Sequence, residues 1–275
     1  MNWMKMNTIK KSTSKMYDSC IKRLTEAFKG KCLQDITMQE VLAYQKWRLT
    51  NLKPATVNRE IATLKRIYSL HCDWNSAQKA PRLHLTNQDM VRVKLIPENN
   101  LKTRFWSQNE CKLLIDSCSN DRIRIVLRVA LMTGLRLGNI LHLTWDQIAD
   151  NAIVIPPTQT KSKRIIRLPI PQSLSLELKK YKLSSGTKHF LFSKEGTANW
   201  FYPAWYQVTA AAGLEDIVFH EARHTYASHF LMNGGDLSTL SELMDHSNIN
   251  ITKQRYGHLS QEHKVDAVNK YVMEV

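Results

Sequence analysis

The chain has 275 residues, enough for two domains with separate hydrophobic cores. Its hydrophobic content of 43% is ordinary for a globular protein, but 39 Lys and Arg against 24 Asp and Glu give a net charge of +15, which favours nucleic acid as a partner. Five cysteines without a Cys-x-x-Cys pair are typical of reduced thiols in a cytoplasmic protein, and no apolar run approaches the length of a membrane span.

Three amphipathic helices are predicted at the start of the chain. Ser12 can cap the first, Thr37 and Glu40 form a capping box that opens the second, and Pro54 fits the first turn of the third. One face of the third helix is apolar. The polar residues of its other faces are Asn58, Arg59, Thr63, Lys65 and Arg66. They form either a solvated surface or a surface that contacts DNA phosphates.

After this helix the periodicity fades, and Pro81 and Pro97 interrupt the sequence. We therefore expect a helical domain at residues 1–90, a linker at residues 91–101 and a second domain at residues 102–275. The whole chain is predicted to be mainly α with a small antiparallel β-sheet.

An apolar helix and the turn after it define the start of the second domain. A capping box at Ser107 and Glu110 opens one helix, and a strongly apolar helix follows at residues 121–132. Gly134 can take the left-handed conformation that ends this helix. Arg136 comes next among apolar neighbours, a position that favours phosphate binding over a surface ion pair.

A β-hairpin is predicted beyond this turn. The segments Ala152–Ile155 and Arg164–Ile170 are rich in β-branched residues and are typical of strands. The polar loop between them contains Lys161 and Lys163. A solvated loop lysine is the ordinary interpretation of either residue.

The stretch from His220 to His258 concentrates residues that can do chemistry. His220 and Arg223 are three residues apart and share a helical face, His246 follows, and then Tyr256. A tyrosine beside cations and imidazoles can serve as an oxygen nucleophile, and the cations suit a phosphate. Because its neighbours are polar, we expect the Tyr256 hydroxyl to be accessible.

The same stretch also matches a zinc metalloprotease pattern. His220-Glu-Ala-Arg-His224 satisfies His-Glu-x-x-His, and Glu242 could be a third ligand. This alternative leaves Tyr256 and the basic charge unexplained, and it puts an arginine beside the cation site. We interpret His224 as a buried histidine bonded to the backbone.

Five motifs in order resemble the tyrosine recombinases, the phage-integrase family. They are Thr133-Gly-Leu-Arg136 with Leu143-Thr-Trp145-Asp, Thr160-Lys161-Ser-Lys163 before Arg167-Leu-Pro169, His220-x-x-Arg223-His-Thr, Asp-His246-Ser-Asn-Ile, and Thr252-x-x-x-Tyr256-x-His258. The resemblance covers roughly the whole chain. It implies an N-terminal helical core-binding domain and a C-terminal catalytic domain with a tail helix.

The resemblance also implies a set of catalytic residues. They are Arg136, Lys161, His220, Arg223, His246 and the nucleophile Tyr256. Tyr256 would form a 3′-phosphotyrosyl bond while the two arginines and His246 hold the nonbridging oxygens. Lys161, with Lys163 as the second candidate, would protonate the 5′-oxygen, and His220 would assist proton transfer at the tyrosine.

The implied partner is double-stranded DNA, without a metal or other cofactor. Monomers would assemble as a homotetramer on two duplexes in the bacterial cytoplasm, associated with the nucleoid when bound. Accessory DNA-bending or directionality proteins can assist, and the tail helix would dock on a neighbouring protomer.

Two residues depart from the family pattern. Asn139 stands where the family usually has Glu, and Asp245 stands where it commonly has Gly. These departures support the alternative of a recombinase-like DNA-binding protein with impaired catalysis.

Overall fold

In the computed structural model the chain divides into two compact units, Met1–Asn100 and Leu101–Val275. The structure describes residues 11–75, 87–98, 104–149, 151–160, 164–187, 191–192, 199–246 and 248–260. Each unit has its own hydrophobic core. No helix in these ranges is long and apolar enough to cross a membrane.

The first unit is organised around one long helix. Its described helices are α1 (Lys11–Ala27), α2 (Met38–Leu49), α3 (Pro54–Asn75) and α4 (Asn87–Arg92), with a 3₁₀ turn at Leu33–Asp35. Helix α3 contacts each of the other three. The predicted capping box is confirmed, since the Thr37 hydroxyl accepts from the Glu40 backbone N–H and the Glu40 carboxylate accepts from that of Thr37.

A buried carboxylate joins α2 to α3. The side chain of Glu60 is fully buried and accepts hydrogen bonds from the Arg48 guanidinium at 2.7 and 2.9 Å and from the Tyr44 hydroxyl at 2.8 Å. Burial alone would raise the pKa of Glu60, but the hydrogen bonds from Arg48 and Tyr44 outweigh it and hold this pKa below its ordinary value. The ionised carboxylate therefore fixes how the two helices pack.

Two of the α3 side chains predicted to face DNA are buried, so that part of the prediction is wrong. Asn58 is 5% exposed, and its amide donates to the Ile96 carbonyl at 2.8 Å and accepts from the Ile96 N–H at 2.9 Å. Thr63 is 1% exposed and donates to the backbone carbonyl four residues earlier. The cations of the prediction stay exposed or partly exposed: Arg59, Lys65 and Arg66.

The predicted linker at residues 91–101 begins too early. Met90 and Val93 are fully buried in the first core, and Ile96 packs against the same core. The Asn58 hydrogen bonds hold Ile96 against α3. Residues up to 98 thus belong to the first unit.

The second unit is built around α6 (Asp121–Thr133). This helix contacts five others. They are α5 (Gln108–Asp116), α7 (Leu137–Leu141), α8 (Gln172–Ser185), α9 (Phe201–Ala211) and α10 (Glu221–Met232). Its apolar residues, such as Ile123, Val126 and Leu127, are fully buried, as expected for a helix surrounded by others. The predicted capping box at Ser107 and Glu110 is confirmed.

A small antiparallel sheet completes the core of this unit. Its strands run in the order β1 (Ile148–Ala149), β2 (Ala152–Ile155) and β3 (Ile166–Pro169). Ile153 pairs with Leu168, and both are buried. The predicted hairpin and the mainly α fold class are confirmed, and β1 is an additional short strand. Lys161 and Lys163 lie outside the described residues.

The last described elements are α11 (Leu237–Leu243), α12 (Ile249–Tyr256) and a 3₁₀ turn at Gly257–Ser260. Asp236 caps α11, since its carboxylate accepts two backbone N–H bonds at 2.9 Å. A separate apolar cluster links α10, α11 and α12: Ala227, Leu231, Leu240, Met244 and Tyr256. The predicted tail helix falls within residues 261–275, outside the described residues.

Candidate active site

Arg223 connects three segments of the second unit. It lies in the first turn of α10 and is 6% exposed. Its Nη1 donates to the Gly134 carbonyl at 2.6 Å, while Nη2 donates to the Met244 carbonyl and lies 3.2 Å from His246 Nε2. Burial, followed by the charge of Arg136, lowers the pKa of Arg223 to about 9, so the guanidinium stays charged at neutral pH.

The turn after α6 holds the first predicted arginine. Gly134 ends α6 in the predicted left-handed conformation, with φ of +63°. A Cβ on Gly134 would lie 2.3 Å from the ring of Tyr226, so the backbone and the available space both require glycine. Arg136 follows as the N-cap residue of α7, with a side chain that is 31% exposed. The turn therefore places a cation next to the carbonyl that Arg223 binds.

Asp245, just after α11, has a positive φ and lies close to Arg136. Its φ of +51° is a conformation that glycine adopts more easily, in agreement with the glycine commonly found there in the resembling family. Its carboxylate lies 3.7 Å from Arg136 Nη1 and is 10% exposed. Asp245 thus supplies Arg136 with a carboxylate neighbour that Asn139 cannot provide.

His246 lies between Arg223 and a buried threonine. Its Nε2 faces the Arg223 guanidinium, and its Nδ1 lies 2.8 Å from Thr252 Oγ1. Because Arg223 can only donate, Nε2 is the acceptor and Nδ1 carries the proton that goes to Thr252. Burial, then Arg223 and Arg136, lowers the pKa of His246 to about 4, so the ring is neutral at pH 7.

Thr252 orients His246, a role that the sequence analysis missed. The side chain is completely buried on α12, one helical turn before Tyr256. A hydroxyl residue at this spacing from both predicted catalytic residues is the signal that could have identified it.

Tyr256 is buried, so the prediction of an accessible hydroxyl is wrong. It is the last residue of α12, is 4% exposed and packs against the apolar cluster of α10 and α11. Its hydroxyl lies 2.5 Å from His224 Nδ1. Burial raises the pKa of Tyr256 despite the opposing charges of Arg223 and Arg255, so the phenol is neutral at pH 7.

His224 is buried as predicted, but the predicted backbone partner is wrong. Its exposure is 5%, and its ring nitrogen is bonded to the hydroxyl of Tyr256. The residues are 32 positions apart in the sequence, and a tertiary contact of this range leaves no local pattern. Burial, then the neighbouring His220 and Arg255, lowers the pKa of His224 to about 4.

His220 lies at the exposed edge of this group, as the N-cap residue of α10. Its ring is perpendicular to that of His224, with centroids 5.3 Å apart. Partial burial, then the charges of Arg223 and Arg255, lowers its pKa. Of the two histidines it is His224 that contacts the tyrosine hydroxyl, whereas the sequence had directed attention to His220.

The zinc alternative finds no ligand set in the part of the chain that the structure describes. No group of three His, Cys, Asp or Glu side chains there could hold a metal ion. Glu242, the third ligand in that alternative, is exposed on α11.

Five of the six predicted catalytic residues lie in the described part of the second unit, and their side chains form one connected region. Arg136 and Arg223 supply permanent positive charge, two neutral imidazoles lie beside them, and Tyr256 offers a hydroxyl. This combination suits a tetrahedral anion with a nucleophile beside it, because fixed cations stabilise charge that develops on phosphoryl oxygens. The sixth predicted residue, Lys161, lies outside the described residues.

Comparisons with known proteins identify the family of this chain. The phage integrase family model matches residues 104–263, and the N-terminal SAM-like domain of phage integrases matches residues 1–76. The chain belongs to the phage integrase family.

Two relatives are the integrases of Salmonella phage P22 and Haemophilus phage HP1. The first is 33% identical over 77% of this chain and the second 31% over 78%. The chain spans 56% and 59% of their respective lengths. A lambda integrase structure, solved as a dimer bound to a COC′ core site, has a TM-score of 0.75, with 18% identity, 99% of this chain and 94% of that chain covered. That likeness establishes the shared fold.

Proposed function

We propose that this chain is a site-specific DNA recombinase of the kind that phages and mobile elements use as integrases. It would cut and rejoin double-stranded DNA through a 3′-phosphotyrosyl intermediate in the bacterial cytoplasm. The observation that carries the proposal is the position of Arg223. Its guanidinium contacts both the turn before Arg136 and the segment that holds His246, while the helix that orients His246 ends at Tyr256.

The cations and His246 would bind the scissile phosphate. Arg136 is partly exposed and can reach a nonbridging oxygen, whereas buried Arg223 offers its charge and the Nη2 proton that His246 now accepts. A phosphate oxygen that accepts this hydrogen bond from Arg223 would free Nε2 of His246. If Nε2 then takes up a proton from solution, His246 becomes a second hydrogen-bond donor to the phosphate. The anion itself favours that uptake by offsetting the arginine charges that depress the histidine pKa.

The reaction then exchanges one phosphodiester for another. The Tyr256 oxygen forms a bond to phosphorus, the bond to the 5′-oxygen breaks, and Lys161 protonates that oxygen. A 5′-hydroxyl from the partner duplex reverses the step and releases the tyrosine. Because the phosphotyrosyl ester conserves the bond energy, the exchange needs neither ATP nor a metal. Four protomers on two duplexes would exchange strands in pairs through a Holliday junction, with tail helices docked in trans and accessory proteins directing the outcome.

The first unit would add phosphate contacts. Arg59 and Arg66 are exposed on α3, and Lys65 is partly exposed between them. Cations seven residues apart lie on one side of a helix, where they can follow a DNA backbone. Asn58 and Thr63 would act indirectly, by fixing the fold of this unit.

Covalent trapping tests the proposal. The wild-type protein is incubated in EDTA with supercoiled plasmid carrying the DNA that flanks its gene, and SDS then stops the reaction. We expect a protein–DNA adduct from the wild type and none from Tyr256→Phe. Tyr206→Phe is the matched control, because Tyr206 is 65% exposed on α9 and should leave the yield unchanged.

The outcomes separate the candidate functions. An adduct that forms with Tyr256→Phe would disprove the assignment of the nucleophile. Binding of the flanking DNA without any adduct would favour a recombinase-like binding protein, for which the carboxylate of Asp245 beside Arg136 is the specific observation.

A further inference from the structure

The hydrogen bond between His224 and Tyr256 is a contact of the proposed nucleophile that the sequence analysis did not anticipate. The two atoms are 2.5 Å apart, and both side chains are nearly excluded from solvent, at 5% and 4% exposure. Apolar residues of α10 and α11 surround the phenol ring. The hydroxyl therefore has a fixed partner and no competing bulk water.

The direction of this hydrogen bond follows from the chemistry of the two groups. Both are neutral at pH 7, because the pKa of His224 is lowered to about 4 and that of Tyr256 is raised. A phenol is the more acidic partner and an imidazole nitrogen the more basic one, so the O–H donates to Nδ1. The ring proton of His224 is then on Nε2.

We propose that His224 is a catalytic residue that holds the Tyr256 hydroxyl and accepts its proton through Nδ1 as the phenol oxygen attacks phosphorus. This role rests on the proposed recombinase function. It replaces His220 as the group that assists proton transfer at the tyrosine, since His220 meets the ring of His224 and not the hydroxyl.

The proton balance of the step is complete. The oxygen–phosphorus bond to Tyr256 forms, the phosphorus–O5′ bond breaks, and the phenol proton moves to Nδ1 to give an imidazolium. The departing 5′-oxygen takes its proton from a different group, in this proposal Lys161. In the reverse reaction the imidazolium returns its proton to the phenol oxygen, which restores the starting state.

The electrostatics would confine this transfer to the DNA complex. In the free protein, burial and then the neighbouring His220, Arg255, Arg223 and His246 lower the pKa of His224, so the phenol keeps its proton. A bound phosphate offsets the arginine charges, and bond formation to phosphorus makes the phenol oxygen acidic. The proton moves only when both conditions are met.

Two substitutions at His224 distinguish proton transfer from positioning. His224→Asn places an amide where Nδ1 was, so it can keep the hydrogen bond but cannot take a proton, and His224→Ala removes both. We expect each to slow adduct formation in EDTA by roughly 10²–10⁴-fold, the usual contribution of a general base. His229→Asn on the same helix is the matched control, since His229 packs on the edge of Phe105 and should react as wild type.

Each possible rate has a definite meaning once melting curves show that the variants are folded. A wild-type rate in His224→Asn would overturn the proton-acceptor role and leave positioning alone. A faster adduct in His224→Ala would overturn it as well, because the contact would then only restrain a buried tyrosine. If the wild type itself forms no adduct, the proposed function fails. If the wild type forms the adduct and the His224 variants form it at the same rate, only the role of His224 fails.

A sulfur leaving group identifies which proton is involved. After the wild-type adduct has located the cleavage site, the scissile 5′-oxygen is replaced by sulfur, which departs without being protonated. The defect of His224→Asn should persist on this substrate, because the missing function is at the tyrosine. Recovery of the rate would place the defect at the leaving group and overturn the proposal.

A spectroscopic measurement covers the case in which the variants do not fold. In wild-type protein with ¹⁵N-labelled histidine, the His224 ring should show a protonated Nε2 and an unprotonated Nδ1 without any DNA. A protonated Nδ1 would mean that His224 donates to the tyrosine oxygen, and the proposal would be wrong.

Discussion

Replacing Gly134 with alanine tests how the turn after α6 supports both arginines. The left-handed φ of +63° costs an L residue roughly 1–2 kcal/mol. The new Cβ would also lie 2.3 Å from the Tyr226 ring, an overlap that typically costs about 1–3 kcal/mol to relieve. The free energy of unfolding should therefore fall by about 2–5 kcal/mol, which for a unit of this size lowers Tm by about 5–15 °C. Urea titrations followed by circular dichroism measure the change.

Gly138→Ala is the matched control for this substitution. Gly138 lies in α7, where a Cβ would meet nothing within 4 Å, so alanine should leave stability unchanged or raise it by up to about 1 kcal/mol. Adduct formation should also fall in Gly134→Ala below its Tm, because the Gly134 carbonyl is a partner of Arg223. A Gly134→Ala protein within about 1 kcal/mol of the wild type would refute the reasoning.

Three further perturbations address the electrostatics and the first unit. Lowering the pH from 7 to 4 should destabilise the second unit, because the unfolded chain protonates His224 near pH 6.5 and the folded chain only near 4. In urea titrations, the free energy of unfolding of His224→Asn should fall by roughly 3 kcal/mol less than that of the wild type over this pH range. Asp245→Gly should raise stability by about 1 kcal/mol and tighten DNA binding in salt titrations, whereas Asn151→Gly, also at a positive φ, should only raise stability. Asn58→Ala should lower the free energy of unfolding by about 1–3 kcal/mol in urea titrations, because its hydrogen bonds to Ile96 are lost. Its control, Arg59→Ala, should leave stability unchanged but reduce the slope of DNA affinity against salt concentration by about one charge.

Local signals in the sequence correctly predicted two helix starts and the turn that leads to Arg136. The capping boxes at Thr37 and Ser107 have fixed spacing and act within one helical turn, so they need no tertiary information. Gly134 was equally readable, because an apolar helix followed by glycine has a preferred ending. The motifs also predicted that Arg223 and His246 belong to one site, and their side chains lie 3.2 Å apart.

The errors arose where distant segments decide burial. Helical periodicity divides α3 into one apolar face and several polar faces, but this helix is covered by three others, so Asn58 and Thr63 are also buried. The segment expected as a linker contains Val93 and Ile96, which continue a three-residue spacing from Met90, a signal that could have revealed its packing. The contact between His224 and Tyr256 has no comparable signal.

The double role of Arg223 predicts which mutations accumulate when a gene for such a protein loses its function. The group proposed to bind phosphate is also a cross-link that satisfies the buried carbonyls of Gly134 and Met244. A substitution at Arg223 would therefore damage the fold together with the chemistry, and the product would be prone to degradation. Inactive copies that persist as stable proteins should instead carry their first lesions at partly exposed Arg136 or at His220. A surviving Arg223 in a decayed copy is then evidence of folding and not of activity.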